Sequence, residues 1–159
     1  NTDAVDNSAG VSCSDHEVNL KLLFSTFIAN HLLTADKRDG LLQQVTEQVV
    51  DVILADNFKQ TLILSLEQYA SKEDEARAKS LEDYQRVIHF LENQPVLHFN
   101  AEREKLPNAE QFQVRRAKSQ PLTRPEKAVV MAYVKIYLYQ RFLHALKDNP
   151  SVFTFLEDD

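Results

Sequence analysis

The chain has 159 residues, of which 43% are hydrophobic and 26% charged, with a formal net charge of −6. That length and composition describe one globular domain rather than a disordered chain, and two glycines and five prolines are too few for the tight turns of a β-sandwich or barrel. The acidic balance argues against nucleic-acid and membrane partners, and a single cysteine excludes an internal disulfide and points to a reducing compartment, the cytoplasm.

The expected fold is therefore all-α. Residues 1–13 are polar, acidic and without helical period, and read as an extended loop. Ser14 and Glu17 have capping-box spacing: the serine oxygen can accept the Glu17 backbone N–H, and the Glu17 carboxylate can reach back to the N–H of Ser14. A helix start there would gather free N–H groups and the positive end of the dipole, making a candidate anion site. The Ser14 hydroxyl would add a donor.

Leu20, Leu23, Phe24, Phe27, Ile28 and Leu32 follow at helical spacing and predict one buried face. Thr34 is expected to cap a second helix carrying Leu41, Leu42, Val45, Val49, Val52 and Ile53; Gly40 inside it costs about 1 kcal/mol relative to alanine. A break is expected at Asp56-Asn57, with Asn57 capping a third helix through Leu66. Ser71 is read as the cap of a fourth helix, whose core face is Leu81, Tyr84, Val87, Ile88 and Leu91. Glu73–Arg77, Glu75–Lys79 and Glu82–Arg86 are i, i+4 pairs in the favourable order along it.

Pro95 ends that helix, because the residue before proline is pushed out of the α region, and residues 95–107 read as an irregular connection. Asn108 with Gln111 opens a short fifth helix. Thr123-Arg124-Pro125-Glu126 is a second capping box, with proline in the first turn, where its missing N–H costs nothing. It leads a long sixth helix with Val129, Val130, Tyr133, Val134, Ile136, Tyr137, Leu138 and Phe142, stopped by Asn149-Pro150. The tail from Phe153 to Leu156 is apolar and is expected to dock onto a neighbouring element. The whole reads as an irregular bundle of about five to seven helices behind an N-terminal loop.

Outside the first stretch, the chemistry is sparse. The five histidines show no metal-ligand spacing, so no metal site is expected. Asp3 and Asp6 read as solvated loop acids, and no catalytic acid or base is assigned. Lys105, Arg115, Arg116, Lys118, Arg124 and Lys127 form a locally basic run without interleaved aromatics, and read as a solvated face or an internal contact rather than a nucleic-acid site. There is neither G-x-G-x-x-G nor a P-loop, so the chain is not expected to bind a dinucleotide by itself. No apolar run is long enough for a membrane span, and an opening without methionine fits a fragment or a processed product.

The stretch from Asn1 to Val11, continued by Ser14-Asp15-His16-Glu17-Val18-Asn19, resembles a signature of the large NAD-specific glutamate dehydrogenases of bacteria. Asp56-Asn57-Phe58-Lys59-Gln60-Thr61 and the segment from Leu122 to Ile136 resemble the same family, so the likeness runs from end to end. It implies a piece of a much longer enzyme: residues 1–13 would be a loop from the end of the nucleotide-binding domain, and residues 14–159 a helical domain. It also implies an enzyme that oxidises L-glutamate to 2-oxoglutarate and ammonia with NAD as hydride acceptor, and that is a homo-oligomer. By spacing, Asn7, Gly10, Val11 and Ser14 fall on the Asn-x-Gly-Gly-Val-x-x-Ser pattern of smaller glutamate dehydrogenases. The resemblance then gives Asn7 and Gly10 a cofactor-binding role at the nicotinamide end of NAD. Ser14 and Val11 would bind substrate, with Ser14 donating to the glutamate side-chain carboxylate. The alternative is an independent helical interaction module without activity, binding a partner through its apolar tail or a tyrosine face.

Overall fold

A computed structural model describes residues 1–149, and every regular element among them is helical. The helices are α1 (Asp3–Asp6), α2 (Ser8–Ala29), α3 (Ala35–Ala70), α4 (Asp74–Glu92), α5 (Ala109–Ala117) and α6 (Arg124–Asp148), with a 3-10 turn at Pro95–Leu97. The expected count of helices holds. The apolar tail after Pro150 lies outside the described residues.

Three boundaries differ from expectation. The loop over residues 1–13 is instead helical, with Asn7 alone separating α1 from α2. Ser14 is consequently an interior residue of α2; its capping box with Glu17 does not form, and the Glu17 carboxylate pairs with Lys21 Nζ at 2.6 Å. Cap residues mark a helix start only where the preceding backbone is not already helical. Here nothing between Ser8 and Ser14 interrupts the helix, since an interior Gly10 costs only about 1 kcal/mol. Likewise α3 passes through Asp56-Asn57 without a break. Ser71 does not cap α4; it is buried and donates to the Glu67 carbonyl at 2.5 Å, while Glu73 occupies the N-cap position.

The three other caps form as expected, the first being Thr34, whose Oγ1 accepts the Lys37 N–H at 3.4 Å at the start of α3. Asn108 and Gln111 exchange both capping-box hydrogen bonds at the start of α5, and Thr123 and Glu126 do so at the start of α6. With only two glycines, the chain ends helices with other residues in the left-handed region. His31 (φ 57°) and Ser119 (φ 51°) occupy the position after the caps of α2 and α5. At both ends the returning backbone bonds have the Schellman arrangement: His31 N–H to the Ile28 carbonyl and Leu32 N–H to Phe27, then Ser119 N–H to Arg116 and Gln120 N–H to Arg115.

The chain divides into two compact units, Asn1–Leu66 and the part from Glu67 onward, with the boundary inside α3. In the first, Val5 and Phe24 are buried, whereas much of the apolar surface is not: Val50, Leu54, Phe58, Leu62 and Leu66 form an i, i+4 row on α3 and are all exposed. The second holds the main core. There Leu81, Ile88 and Leu91 of α4 meet Leu97, Phe99, Leu106, Phe112 of α5, Leu122 and Val130 of α6. Tyr133 stacks against Phe99 at a centroid distance of 4.5 Å, and Tyr137 meets Phe90 edge-on at 5.0 Å.

Candidate functional site

Gly10, Val11 and Ser14 lie three, four and seven residues after Asn7. Continuous helix from Ser8 therefore puts them on one side of α2, over roughly 10 Å of its length. All four are exposed. The free N–H groups expected at Ser14 belong instead to the first turn of α2, so the Asn7 end is the electropositive one. Ser14 retains its hydroxyl, without the helix start that would have reinforced it.

Gly10 does not relieve a left-handed turn. A Cβ on it would come within 3.2 Å of the Asn7 Oδ1, with nothing else in its way. The missing side chain thus leaves room for the Asn7 amide to lie over the first turn of α2.

Ser8, next to Asn7, is the best-connected residue of this region. Its Oγ donates to the Val5 carbonyl at 2.9 Å and accepts from Asn57 Nδ2 at 2.8 Å and Gln60 Nε2 at 3.3 Å. Asn57 Nδ2 also lies 3.3 Å from the Val5 carbonyl. The first two stretches that resemble the dehydrogenase family, 49 residues apart along the chain at this pair, therefore meet through side chains. Sequence reasoning missed Ser8, Asn57 and Gln60 as partners. The available signal was that both stretches resembled one family, but nothing in their spacing says that they touch.

The first unit also has an apolar cleft of about 330 Å³ between α2 and α3, lined by Leu20, Leu42, Val45, Val49 and Ile53 with Cys13 and Lys21. In the second unit a larger cleft, about 700 Å³, lies between α4 and the start of α5, with Gln85, His89, Glu92, Lys105, Asn108 and Gln111 among its walls. None of the four candidate residues lines either cleft.

Four of the six residues of the basic run, Arg115, Arg116, Arg124 and Lys127, make internal side-chain contacts. Arg115 makes a two-pronged pair with the Glu126 carboxylate at 2.7 and 2.8 Å, Arg116 binds Gln85, and Arg124 reaches Gln68 at 3.0 Å. Lys127 is fully buried, its Nζ 3.3 Å from Ser71 Oγ and 5.5 Å from the centre of the Tyr84 ring. Burial lowers the Lys127 pKa against the opposing pull of Glu67. Burial, reinforced by the Glu67 carboxylate, raises that of the Tyr84 phenol. Of the expected pairs along α4, Glu82–Arg86 forms, while Arg77 turns to Asp74 at 3.0 Å. Among the described residues there is no group of three or more side chains able to hold a metal ion, and no helix is long and apolar enough to cross a membrane.

A helical segment with an exposed stripe along its first long helix defines a structural class, all-α, without naming a chemistry. Comparison with known proteins supplies the name of the family. The family described as bacterial NAD-glutamate dehydrogenase, catalytic domain, matches residues 1–67, a limit that falls at the division between the two compact units. The NAD-specific glutamate dehydrogenase of Halomonas elongata is 34% identical over 99% of the chain, and those of Pseudomonas aeruginosa and Mycobacterium tuberculosis are each 36% identical over 97% and 96%. The chain spans only 9% of the length of each. No solved structure matches it. Along nearly its whole length this chain is similar to the bacterial NAD-specific glutamate dehydrogenases.

Proposed function

We propose that the longer protein containing this segment oxidatively deaminates L-glutamate, with water and NAD, to 2-oxoglutarate, ammonia and NADH. In this reading the segment contributes binding groups to the cleft and leaves hydride transfer and acid–base chemistry to residues elsewhere in the protein. Asn7 hydrogen-bonds the nicotinamide end of NAD, and Gly10 keeps the space that its amide occupies. Ser14 donates its hydroxyl proton to the side-chain carboxylate of glutamate, with Val11 packing beside it.

The observation that carries this reading is the shared exposed side of α2. Four residues that fit the dehydrogenase pattern by spacing alone lie along one helix face, the length of which suits a nicotinamide and a five-carbon amino acid side by side. The rest of the segment braces the assembly. The exposed row from Val50 to Leu66 supports packing of α3 against other parts of the longer, homo-oligomeric protein.

Steady-state kinetics of the full-length enzyme test the assignments. Ser14→Ala is expected to raise KM for glutamate roughly tenfold with little change in kcat, because a carboxylate contact remote from the reacting carbon is made in ground and transition states alike. Asn7→Ala is expected to raise KM for NAD instead. If neither constant moves in either variant, the stripe is architectural.

A further inference from the structure

Asn7 is the only residue between two helices, with φ −107° and ψ 12°, and its side chain makes no capping bond. The direction of its amide therefore depends on how α1 and α2 are held against each other. Local sequence does little to hold them, since α1 is four residues long and an isolated single turn is not stable in water. What anchors the joint comes from α3. Asn57 and Gln60, one turn apart, both donate to Ser8 Oγ, and Asn57 also lies within reach of the Val5 carbonyl at the end of α1. The Ser8 hydroxyl, accepting twice and donating once to that same carbonyl, has no capacity left for solvent. Val5 is itself fully buried, so its carbonyl is poorly placed to find water if the amide were withdrawn.

We propose that Asn57, assisted by Gln60, is a positioning residue for cofactor binding. It clamps the end of α1 to the start of α2 and so sets where Asn7 presents its amide to the nicotinamide end of NAD. Asn57 acts through Ser8 and Val5, without touching the cofactor. The inference rests on the reading of Asn7 given above.

The test is a double-mutant cycle in the full-length enzyme, with KM for NAD, KM for glutamate and kcat measured for Asn7→Ala, Asn57→Asp and the pair. Asn57→Asp keeps the shape but removes the donor. It should raise KM for NAD roughly tenfold, leave KM for glutamate unchanged, and add little to Asn7→Ala, because the clamp has no purpose once the amide is gone. Gln60→Met, which removes the second donor to Ser8 Oγ, should move KM for NAD the same way by a smaller factor, and it decides the matter if Asn57→Asp does not fold. If Asn7→Ala raises KM for NAD while the clamp variants do not, or if the effects simply add, the positioning role is wrong and the reading of Asn7 stands. A loss shared equally between NAD and glutamate also overturns it, as general loosening of the helices. If Asn7→Ala itself leaves KM for NAD unchanged, the reading of Asn7 fails and the clamp's role in cofactor binding fails with it.

Discussion

Gly10 has two opposed effects on the region around it. Its lack of a side chain weakens α2 by about 1 kcal/mol relative to alanine, yet it leaves the 3.2 Å approach in which the Asn7 oxygen lies. Because Asn7 is exposed, its side chain can yield by the few tenths of an ångström that a new methyl would demand. Gly10→Ala is therefore expected to raise the unfolding temperature while raising KM for NAD in the full-length enzyme. A rise in stability with no change in KM would mean that the position of the amide does not matter to the cofactor. The glycine was visible in the sequence, but its neighbour was not: in the extended loop expected there, Gly10 and Asn7 would have had no reason to meet.

At the scale of an element, the start of α6 shows how a legible signal can hide part of its network. The Thr123–Glu126 box follows from spacing alone, and the structure adds Arg115 from α5, whose guanidinium grips the same carboxylate with both nitrogens. The two side chains are only 23% and 14% exposed, so the pair should be worth more than a surface ion pair, about 2 kcal/mol. Burial would raise the Glu126 pKa, but hydrogen bonds from Arg115 and Thr123 outweigh it and hold the carboxyl below its usual range. A carboxyl with a depressed folded-state pKa stabilises the fold above the unfolded value, about 4.3, and loses that contribution as pH falls through the folded value. Denaturant unfolding of the chain and of Arg115→Met should therefore differ by about 2 kcal/mol at pH 7, and the difference should shrink as pH falls below the unfolded value and through the lower folded one. A difference that did not depend on pH would assign the effect to lost packing of the arginine stem. The opposite failure of legibility occurs in α2 and α3, where Ser14, Asp56 and Asn57 are good boundary residues by type. They lie inside helices because nothing around them stops propagation, and because Asn57 uses its amide across to Ser8 instead of on its own backbone.

For the molecule as a whole, the two units differ in how well they cover their apolar surface. The second unit closes a core from α4, α5 and α6 around Phe112. In the first, α3 carries Val52-Ile53-Leu54 and Leu62-Ile63-Leu64, triplets that point in three directions about 100° apart, so a single neighbouring helix cannot cover them. The 159 residues alone are expected to associate at micromolar concentration, and Leu54→Lys with Phe58→Lys should reduce that association in sedimentation experiments. They are also expected to form no NADH from glutamate and NAD, since binding groups without catalytic ones give no turnover. Measurable NADH formation by the isolated chain would refute the division of labour proposed here.

Local sequence by itself determined the all-α class, the caps of α5 and α6 and the likeness to the dehydrogenase family, because each depends on composition, on residues within one turn of each other, or on identities spread along the chain. Tertiary structure decided where α2 begins, that α3 is continuous and that Ser8 is tied to Asn57 and Gln60. Those outcomes turn on contacts between residues about 50 positions apart, and a helix propagates through a possible cap whenever such distant contacts favour it over a break.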